Sequence, residues 1–204
     1  MTGRLLVLAT TNPNKVREIR SILGDVPYQL VGLDEFPPIP PPDEHGRTFD
    51  VNAREKALAY AAATGALVVA EDSGLEIDAL DGAPGVESAR FGGVDASYPR
   101  KFALIADALR ARGATASRAR FVCALALANG SAILFETRGV VEGEIVLPPR
   151  GEGGFGYDPI FCYPPYGRTL AEVSAEEKAK VSHRGKAFTT LRRYLHEDHG
   201  GQNS

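Results

Sequence analysis

Two adjacent acids, Glu71 and Asp72, stand between apolar runs in the stretch LVVAEDSGLEIDAL, Leu67 to Leu80. Charged side chains are costly to bury unless a metal ion, a cation or hydrogen bonds offset the loss of solvation. Hard oxygen ligands on neighbouring residues suit Mg²⁺, whereas a single Asp-Ser-Gly would more simply be a capped turn at a strand end. Two acids favour the metal site. Nothing around Ser73 marks a Ser-His-Asp arrangement.

A second candidate is the segment TTNPNK, Thr10 to Lys15, which lies between a short apolar run and a helical pattern. The start of a helix offers unpaired amides and a positive dipole to an anion, and the Thr, Asn and Lys side chains add donors. The segment lacks the glycines of Walker and dinucleotide motifs. An N-cap with solvated neighbours is an equally good interpretation of this segment taken alone.

A third candidate is the loop PPDEHG, which carries Glu44, with Lys56 on the helix behind it. A lone glutamate in a loop is more often solvated than functional, and Lys56 alone is equally weak evidence. A functional role for these two residues is supported only when they are considered together with the neighbouring motifs.

The fourth candidate is carboxy-terminal: GGFGYDP (Gly153 to Pro159), Lys178, and SHRGKA (Ser182 to Ala187). Glycines let a loop approach a flat ligand closely, and an aromatic face can stack on a nucleobase. The commoner fate of aromatic residues is to close the core. His183 and Arg184 could be helix caps, or donors to a phosphate and a purine carbonyl.

Apolar runs and turn residues predict the elements that must position these groups. Strands are predicted at Arg4 to Thr10, YQLVGL, LVVA and GEIVL. Helices are predicted after Pro13, over Thr48 to Thr64 and before Gly113. Two more helices are predicted after the capping box Ser174 to Glu177 and around Phe188 to Leu195. Asn129-Gly130 predicts a hairpin with a type I′ turn. The order predicts one α/β domain over residues 1–204, with an elongated mixed β-sheet flanked by helices and a frayed tail at 197–204.

The composition limits the class of molecule that the protein is expected to bind. The 204 residues carry a formal net charge of −3, which gives no general attraction to nucleic acid or to an anionic membrane, so a small molecule is expected. Cys123 and Cys162 make neither a disulfide framework nor a zinc site, and Cys123 is expected to be a reduced core thiol. Because no signal peptide or membrane span is apparent, a cytoplasmic protein is expected.

Taken together, five segments resemble one family in order and spacing: TTNPNK, TFDVNAREKA, AEDSGLEIDALDGAPGVESAR, GGFGYDPIF and EEKAKVSHRGKA. They are similar to the inosine/xanthosine triphosphate pyrophosphatases, also called Ham1-like, from Leu5 to Leu195. The resemblance implies an enzyme that hydrolyses ITP, dITP and XTP to the monophosphate and pyrophosphate with Mg²⁺. It also implies a homodimer, and a fold of two lobes with a central substrate cleft.

The resemblance assigns roles residue by residue. Asp72 corresponds to the catalytic acid that orients or deprotonates water, and Asp72, Glu44 and Glu71 to the metal site. The expected substrate contacts are Thr10, Thr11, Asn12, Pro13, Asn14, Lys15, Lys56, Ser73, Phe155, Gly156, Tyr157, Asp158, Lys178, His183 and Arg184. One departure concerns Glu44: His45 precedes the glycine where relatives often carry Thr, which leaves the geometry of that loop open.

Three alternative functions remain. A regulatory module that senses triphosphates would need the lysines but not the acids of EDSG, so those acids weigh against it. The Maf-type pyrophosphatases share a similar opening strand and loop, but the SHRG and FGYDP segments favour the purine family. A phosphatase that releases inorganic phosphate is the weakest of the three.

Overall fold

The chain folds into one seven-stranded mixed sheet with helices, an α/β architecture as predicted. The computed structural model describes residues 4–42 and 45–200, with the backbone alone for 198–200. Within that part of the chain the helices are α1 Pro13–Leu23, α2 Phe49–Thr64, α3 Tyr98–Ala111, α4 Ala175–Val181 and α5 His183–Gly200. The strands are β1 Leu5–Leu8, β2 Gln29–Gly32, β3 Leu67–Ile77, β4 Ser117–Asn129, β5 Ala132–Ile145, β6 Phe161–Tyr163 and β7 Arg168–Thr169.

The strand order is β2-β1-β3-β4-β5-β6-β7. β1 pairs in parallel with β2 and β3, whereas β6 pairs antiparallel with β5 and β7. The chain forms two compact units, which share the long strands β3, β4 and β5 between them. The first unit contains residues 1–72, 123–139 and 184–204, and the second contains 73–122 and 140–183.

The first unit has its own apolar core. β1 and β3 contribute Leu6, Leu8 and Val69, while α1 contributes Ile19 and Leu23. The α5 residues Phe188, Leu191 and Leu195 complete this core. α1 begins where the sequence predicts, because Asn12 caps it, Pro13 fits its first turn and Gly24 ends it.

The second unit has a separate core, built from the later part of β3 and from α3. Ile77 and Ile105 are fully buried in it, with Val141 from β5 and Phe161 from β6. α4 begins with the predicted capping box, because Ser174 accepts from the Glu177 amide while the Glu177 carboxylate accepts from the Ser174 amide.

β3 is longer than the sequence suggested. The prediction ended the strand at the two acids and placed a turn at Ser73-Gly74, but the strand continues to Ile77. A backbone can keep its ladder hydrogen bonds whatever charge the side chains carry, provided that each charge finds partners. Glu71 and Asp72 are therefore strand residues.

β5 also runs further than predicted. GEIVL was expected to form a strand of its own, but its first three residues are the end of β5. Gly143 is required there because a Cβ at this position would lie 2.5 Å from the Phe161 ring. The β4–β5 hairpin is confirmed, whereas its turn is not type I′: Gly130 has φ 57°, but Asn129 ends β4 without the positive φ that this turn needs.

The last helix reaches into the segment that was predicted to be a frayed tail. α5 extends to Gly200, so residues 197–200 are helical, and residues 201–204 lie outside the described part; fraying of 197–204 stays a prediction. None of the described helices combines the length and apolarity needed to cross a membrane.

Candidate active site

The amino-terminal loop, residues 10–15, is organised by its own side chains. Asn12 Oδ1 accepts hydrogen bonds from the amides of Asn14 at 2.9 Å and Lys15 at 3.4 Å, so Asn12 is the N-cap of α1. Thr10 Oγ1 accepts from the Asn12 amide at 3.2 Å. The capping interpretation is therefore correct for Asn12. Thr11 is exposed, and the Lys15 ammonium contacts the Glu71 carboxylate at 2.8 Å.

A pocket of about 650 Å³ opens beside this loop. Its lining combines the loop, one side of α1 and the end of β2: Thr10, Thr11, Pro13, Val16, Arg17, Arg20, Leu33 and Asp34. The first unit thus has open space next to the predicted phosphate-binding residues.

Glu71 is a buried centre of charge in the first unit. Its Oε1 lies 2.8 Å from Lys15 Nζ and 3.0 Å from Arg184 Nη2, and its Oε2 accepts from the Cys123 thiol at 3.3 Å. Arg184 also donates to Glu18 Oε2 at 2.8 Å. The cations explain how a carboxylate whose side chain is only 2% exposed can occupy a strand interior.

Burial and charge act together on the pKa values around Glu71. Burial raises the pKa of the Cys123 thiol well above its usual value, and the Glu71 carboxylate adds to this, so Cys123 remains a protonated donor. Burial acts to lower the pKa of the Arg184 guanidinium. Glu71 and Glu18 outweigh it and hold that pKa above the usual value, so Arg184 stays charged.

Asp72 has a different set of partners, supplied by α2. Asn52 Nδ2 donates to Asp72 Oδ2 at 2.9 Å, and Lys56 Nζ lies 3.3 Å from Asp72 Oδ1. The Asp72 side chain is 10% exposed and Lys56 15% exposed, so this pair can be reached from solvent. Donors on both oxygens fix the orientation of this carboxylate.

The two acids face opposite sides of the sheet, since neighbouring strand residues alternate. Glu71 shares its side with Leu67 and Val69, which pack on α1 and α5, and Asp72 faces α2. On one side Lys15 and Arg184 contact Glu71 and Arg184 also contacts Glu18, and on the other side Lys56 contacts Asp72.

Asp158 organises the predicted base-binding loop in the second unit. Its Oδ2 accepts from the Phe155 amide at 2.7 Å and from Lys178 Nζ at 2.6 Å, and both charged side chains are almost fully buried. Gly154 has φ 66°, and a Cβ there would lie 2.2 Å from Asp158 Oδ2. A glycine is therefore needed for this loop to close on its own carboxylate.

The two aromatic residues of the loop have different roles. Tyr157 is 4% exposed, packs edge-on against Tyr98 and donates to the Ser88 carbonyl at 2.8 Å, so it closes the core. Phe155 is half-buried, with Lys178 Nζ 4.5 Å from the centre of its ring. Of these two rings, Phe155 is the more exposed, so it is the better candidate for stacking on a base.

The remaining predicted contacts differ in exposure. His183 is 5% exposed and stacks on Phe121, with ring centres 4.8 Å apart. Ser73 and Gly156 are half-buried. Arg184 is 2% exposed and engaged with carboxylates, so the structure gives it an internal ion-pair role that the sequence did not reveal.

These groups lie in segments that match a known family over most of the chain. The model of the Ham1 family matches residues 6–194. The chain belongs to the Ham1 family. It is 48% identical to a dITP/XTP pyrophosphatase of Exiguobacterium sp., covering 91% of this chain and 94% of that protein. It is 47% identical to a dITP/XTP pyrophosphatase of Syntrophobacter fumaroxidans, covering 95% and 82%.

The fold is also that of solved Ham1 structures. A HAM1 protein from Coxiella burnetii superposes with a TM-score of 0.89 at 40% identity, covering 95% of this chain and 99% of that one. The Staphylococcus aureus Ham1 protein gives a TM-score of 0.85 at 36% identity, covering 96% and 100%.

The predicted site residues of this Ham1 protein fall into two groups, one in each unit. The first-unit group is Thr10, Thr11, Asn12, Pro13, Asn14, Lys15, Lys56, Glu71, Asp72 and Arg184, and the second-unit group is Ser73, Phe155, Gly156, Tyr157, Asp158, Lys178 and His183. Sequence reasoning missed Asn52, although its spacing of four residues from Lys56 on a predicted helix places both on one face. It also missed Glu18, whose partner is 166 residues away in the chain.

The predicted metal site is only partly visible. Glu44 lies outside the described residues. Among the residues that are described, no three His, Cys, Asp or Glu side chains come together as a metal cluster. Because the Glu71 oxygens already accept from Lys15, Arg184 and Cys123, a metal ion there would compete with cations. A metal site at Asp72, Glu44 and Glu71 in this Ham1 protein stays a prediction.

Proposed function

We propose that the chain is a hydrolase of acid anhydrides, a Mg²⁺-dependent pyrophosphatase that converts dITP, ITP and XTP to the monophosphate and pyrophosphate and so cleanses the cytoplasmic nucleotide pool. The observation that carries the proposal is Asp72, held between Asn52 and Lys56, in a chain 48% identical to a dITP/XTP pyrophosphatase. Such a carboxylate is suited to accept a proton from water.

The phosphate chain is assigned to the first-unit group. Thr11, Lys15 and Lys56 offer a hydroxyl and two ammonium groups, and the start of α1 adds its positive dipole. Lys15 and Lys56 now pair with Glu71 and Asp72. Binding of a triphosphate would therefore exchange carboxylate partners for phosphate partners.

The donor chemistry of Asp72 fits a magnesium ion. Its carboxylate oxygens are hard ligands, and its side chain is partly open to solvent. Asp72 would hold the ion together with Glu44, and Glu71 is the third candidate ligand. When bound, Mg²⁺ would neutralise phosphate charge and lower the pKa of water.

The reaction follows from these assignments. Water attacks the α-phosphorus in line with the bond to the β-phosphate; the new P–O bond forms while the anhydride bond breaks, and pyrophosphate leaves. Asp72 accepts the proton of the attacking water, a step that contributes ~10²- to 10⁴-fold in such reactions. Lys15 and Lys56 stabilise the charge of the departing pyrophosphate.

The purine is assigned to the second-unit group. Phe155 would stack on any purine, while the loop amides and His183 would contact the base edge. Asp158 and Lys178 hold that loop in shape through their 2.6 Å pair. Hypoxanthine and xanthine carry a carbonyl at position 6 and adenine an amino group, so donors placed for the carbonyl would be left unpaired by adenine.

A product assay tests the proposed function. ITP, dITP, XTP, ATP and GTP are incubated with the protein, with Mg²⁺ and with EDTA, and pyrophosphate is separated from phosphate. We expect pyrophosphate from the first three only when Mg²⁺ is present, with kcat/KM ~10²-fold above that for ATP. Because guanine shares the carbonyl, discrimination against GTP is expected to be weaker.

Other outcomes would reject the proposal in different ways. Binding of ITP without turnover would identify a sensor of triphosphates. Release of inorganic phosphate would identify a phosphatase. Equal kcat/KM for ATP and ITP would reject the assigned purine preference even if pyrophosphate were the product.

We further propose that the protein is a homodimer. The second unit exposes Val94, next to the segment DGAPGVESARFGG, to 81%, and the first unit exposes Leu134 of the hairpin to 44%. Apolar residues exposed singly are common on protein surfaces, so the proposal rests on the family resemblance, and these two positions mark where we expect the contact. Light scattering at micromolar concentration should give twice the mass of the chain, and a mass of one chain throughout would contradict the dimer.

A further inference from the structure

Asn52 is a buried polar residue to which the proposed reaction gives no role so far. It lies in the first turns of α2, four residues before Lys56, so both side chains leave the same helix face. Asn52 is only 1% exposed. A buried amide in the alanine-rich helix FDVNAREKALAYAAAT calls for an explanation, because polar groups are costly to bury.

Asn52 and Lys56 contact different oxygens of Asp72. Asn52 Nδ2 donates to Oδ2 at 2.9 Å, while Lys56 Nζ lies 3.3 Å from Oδ1. The shorter contact is thus the one made by the neutral amide. A neutral donor orients the carboxylate without cancelling its charge.

An arriving substrate would affect the two contacts with Asp72 differently. Lys56 is long and 15% exposed on its side chain, so its ammonium can turn from Asp72 to an arriving phosphate. Asn52 has a short side chain enclosed by protein, so we expect its amide to stay at Oδ2 when a substrate arrives. After such an exchange, Asn52 would still hold Oδ2 of Asp72.

The side-chain oxygen of Asn52, Oδ1, argues against a purely structural role. No described residue donates a hydrogen bond to its Oδ1, which is fully enclosed. Gly46 packs closely on this atom, since a Cβ there would lie 2.3 Å from Oδ1. An unsatisfied buried acceptor destabilises the fold, so packing alone does not account for an asparagine here.

We propose that Asn52 is a positioning residue for hydrolysis: it fixes Oδ2 of Asp72 so that Oδ1 is the oxygen presented to water or metal. This assignment rests on the proposed function. Asn52 itself touches neither substrate nor the reacting atoms, and it acts only through Asp72.

The test compares Asn52→Ala, which removes the donor, with Asn52→Asp, which keeps the shape but replaces the donor by an acceptor. Ala61→Gly, on the same helix and away from Asp72, is the control for destabilised α2. We expect kcat for ITP to fall ~10- to 100-fold in both Asn52 variants while KM stays close to its original value. Ala61→Gly should lower Tm and leave kcat unchanged.

Two further measurements separate positioning from general damage. Calorimetry of ITP binding in EDTA should give the original Kd for both Asn52 variants, because the substrate contacts remain. In an Asp72→Asn background, adding Asn52→Ala should cause no further loss of kcat, since its only route of action is gone.

Several results would overturn the proposal. They are a normal kcat in folded Asn52→Ala, a rise in KM alone, a weakened Kd in EDTA, losses that add fully in the double variant, or failure of both variants to fold. If the unaltered chain is inactive on ITP, the proposed function fails and this assignment falls with it. If the unaltered chain is active, the results bear on Asn52 alone.

Discussion

Asp72→Asn will fold normally and hydrolyse ITP ~10²- to 10⁴-fold more slowly than the unaltered chain. The substitution keeps the shape of the side chain but removes the charge to which the proposed function assigns metal binding and proton acceptance. Lys56 is partly exposed and can turn to solvent when its partner is lost, so the fold should tolerate the change. The measurement is kcat for pyrophosphate release, with circular dichroism to confirm folding.

The matched control for this variant is Asp107→Asn. Asp107 is an exposed acid of α3 that pairs with Arg110 on the surface, and its loss should leave turnover unchanged. Near-normal turnover by folded Asp72→Asn would refute the assignment of Asp72 as the catalytic carboxylate that accepts the proton of water.

Arg184→Met will lower the free energy of unfolding by about 3–5 kcal/mol, because removal of one partner leaves buried charge uncompensated. Arg184 is 2% exposed on its side chain and contacts both Glu71 and Glu18. Methionine fills similar space without charge, so the loss reports mainly on the ion pairs. Urea denaturation followed by circular dichroism measures it.

Arg192→Met provides the comparison on the same helix. Arg192 pairs with Asp25 at the surface, where the two side chains are 44% and 76% exposed, and such pairs contribute about 0–1 kcal/mol. If Arg184→Met lowered the free energy of unfolding no more than Arg192→Met does, the buried ion pairs would not be a source of stability.

Much of the fold could be predicted from local sequence. The apolar run before Thr10, the Asn12 cap with Pro13, and Gly65 at the end of α2 are signals carried by neighbouring residues, and each element lies where expected. The prediction failed where a side chain has distant partners. β3 continues through Glu71 because Lys15 and Arg184 meet that acid, and sequence spacing does not reveal such contacts.

The candidate site, like the fold, could be predicted only in part from the sequence. Asp72 and the GGFGYDP loop could be located from their motifs, because residue type and order suffice for that. Whether an aromatic residue stacks on a ligand or closes a core depends on three-dimensional packing, so only the structure separates Phe155 from Tyr157. The role of Asn52 likewise depends on a contact between residues 20 apart in the chain.

The pairing of Lys15 with Glu71 and of Lys56 with Asp72 has a consequence for selectivity among cellular anions. A carboxylate of the same chain acts at high effective concentration, so a single small anion such as inorganic phosphate competes poorly for either ammonium group. In the proposed reaction a triphosphate binds both ammonium groups, and a metal ion that accompanies it would give Asp72 a further partner. The free enzyme should thus resist occupation by inorganic phosphate, which an open cluster of unpaired lysines would attract.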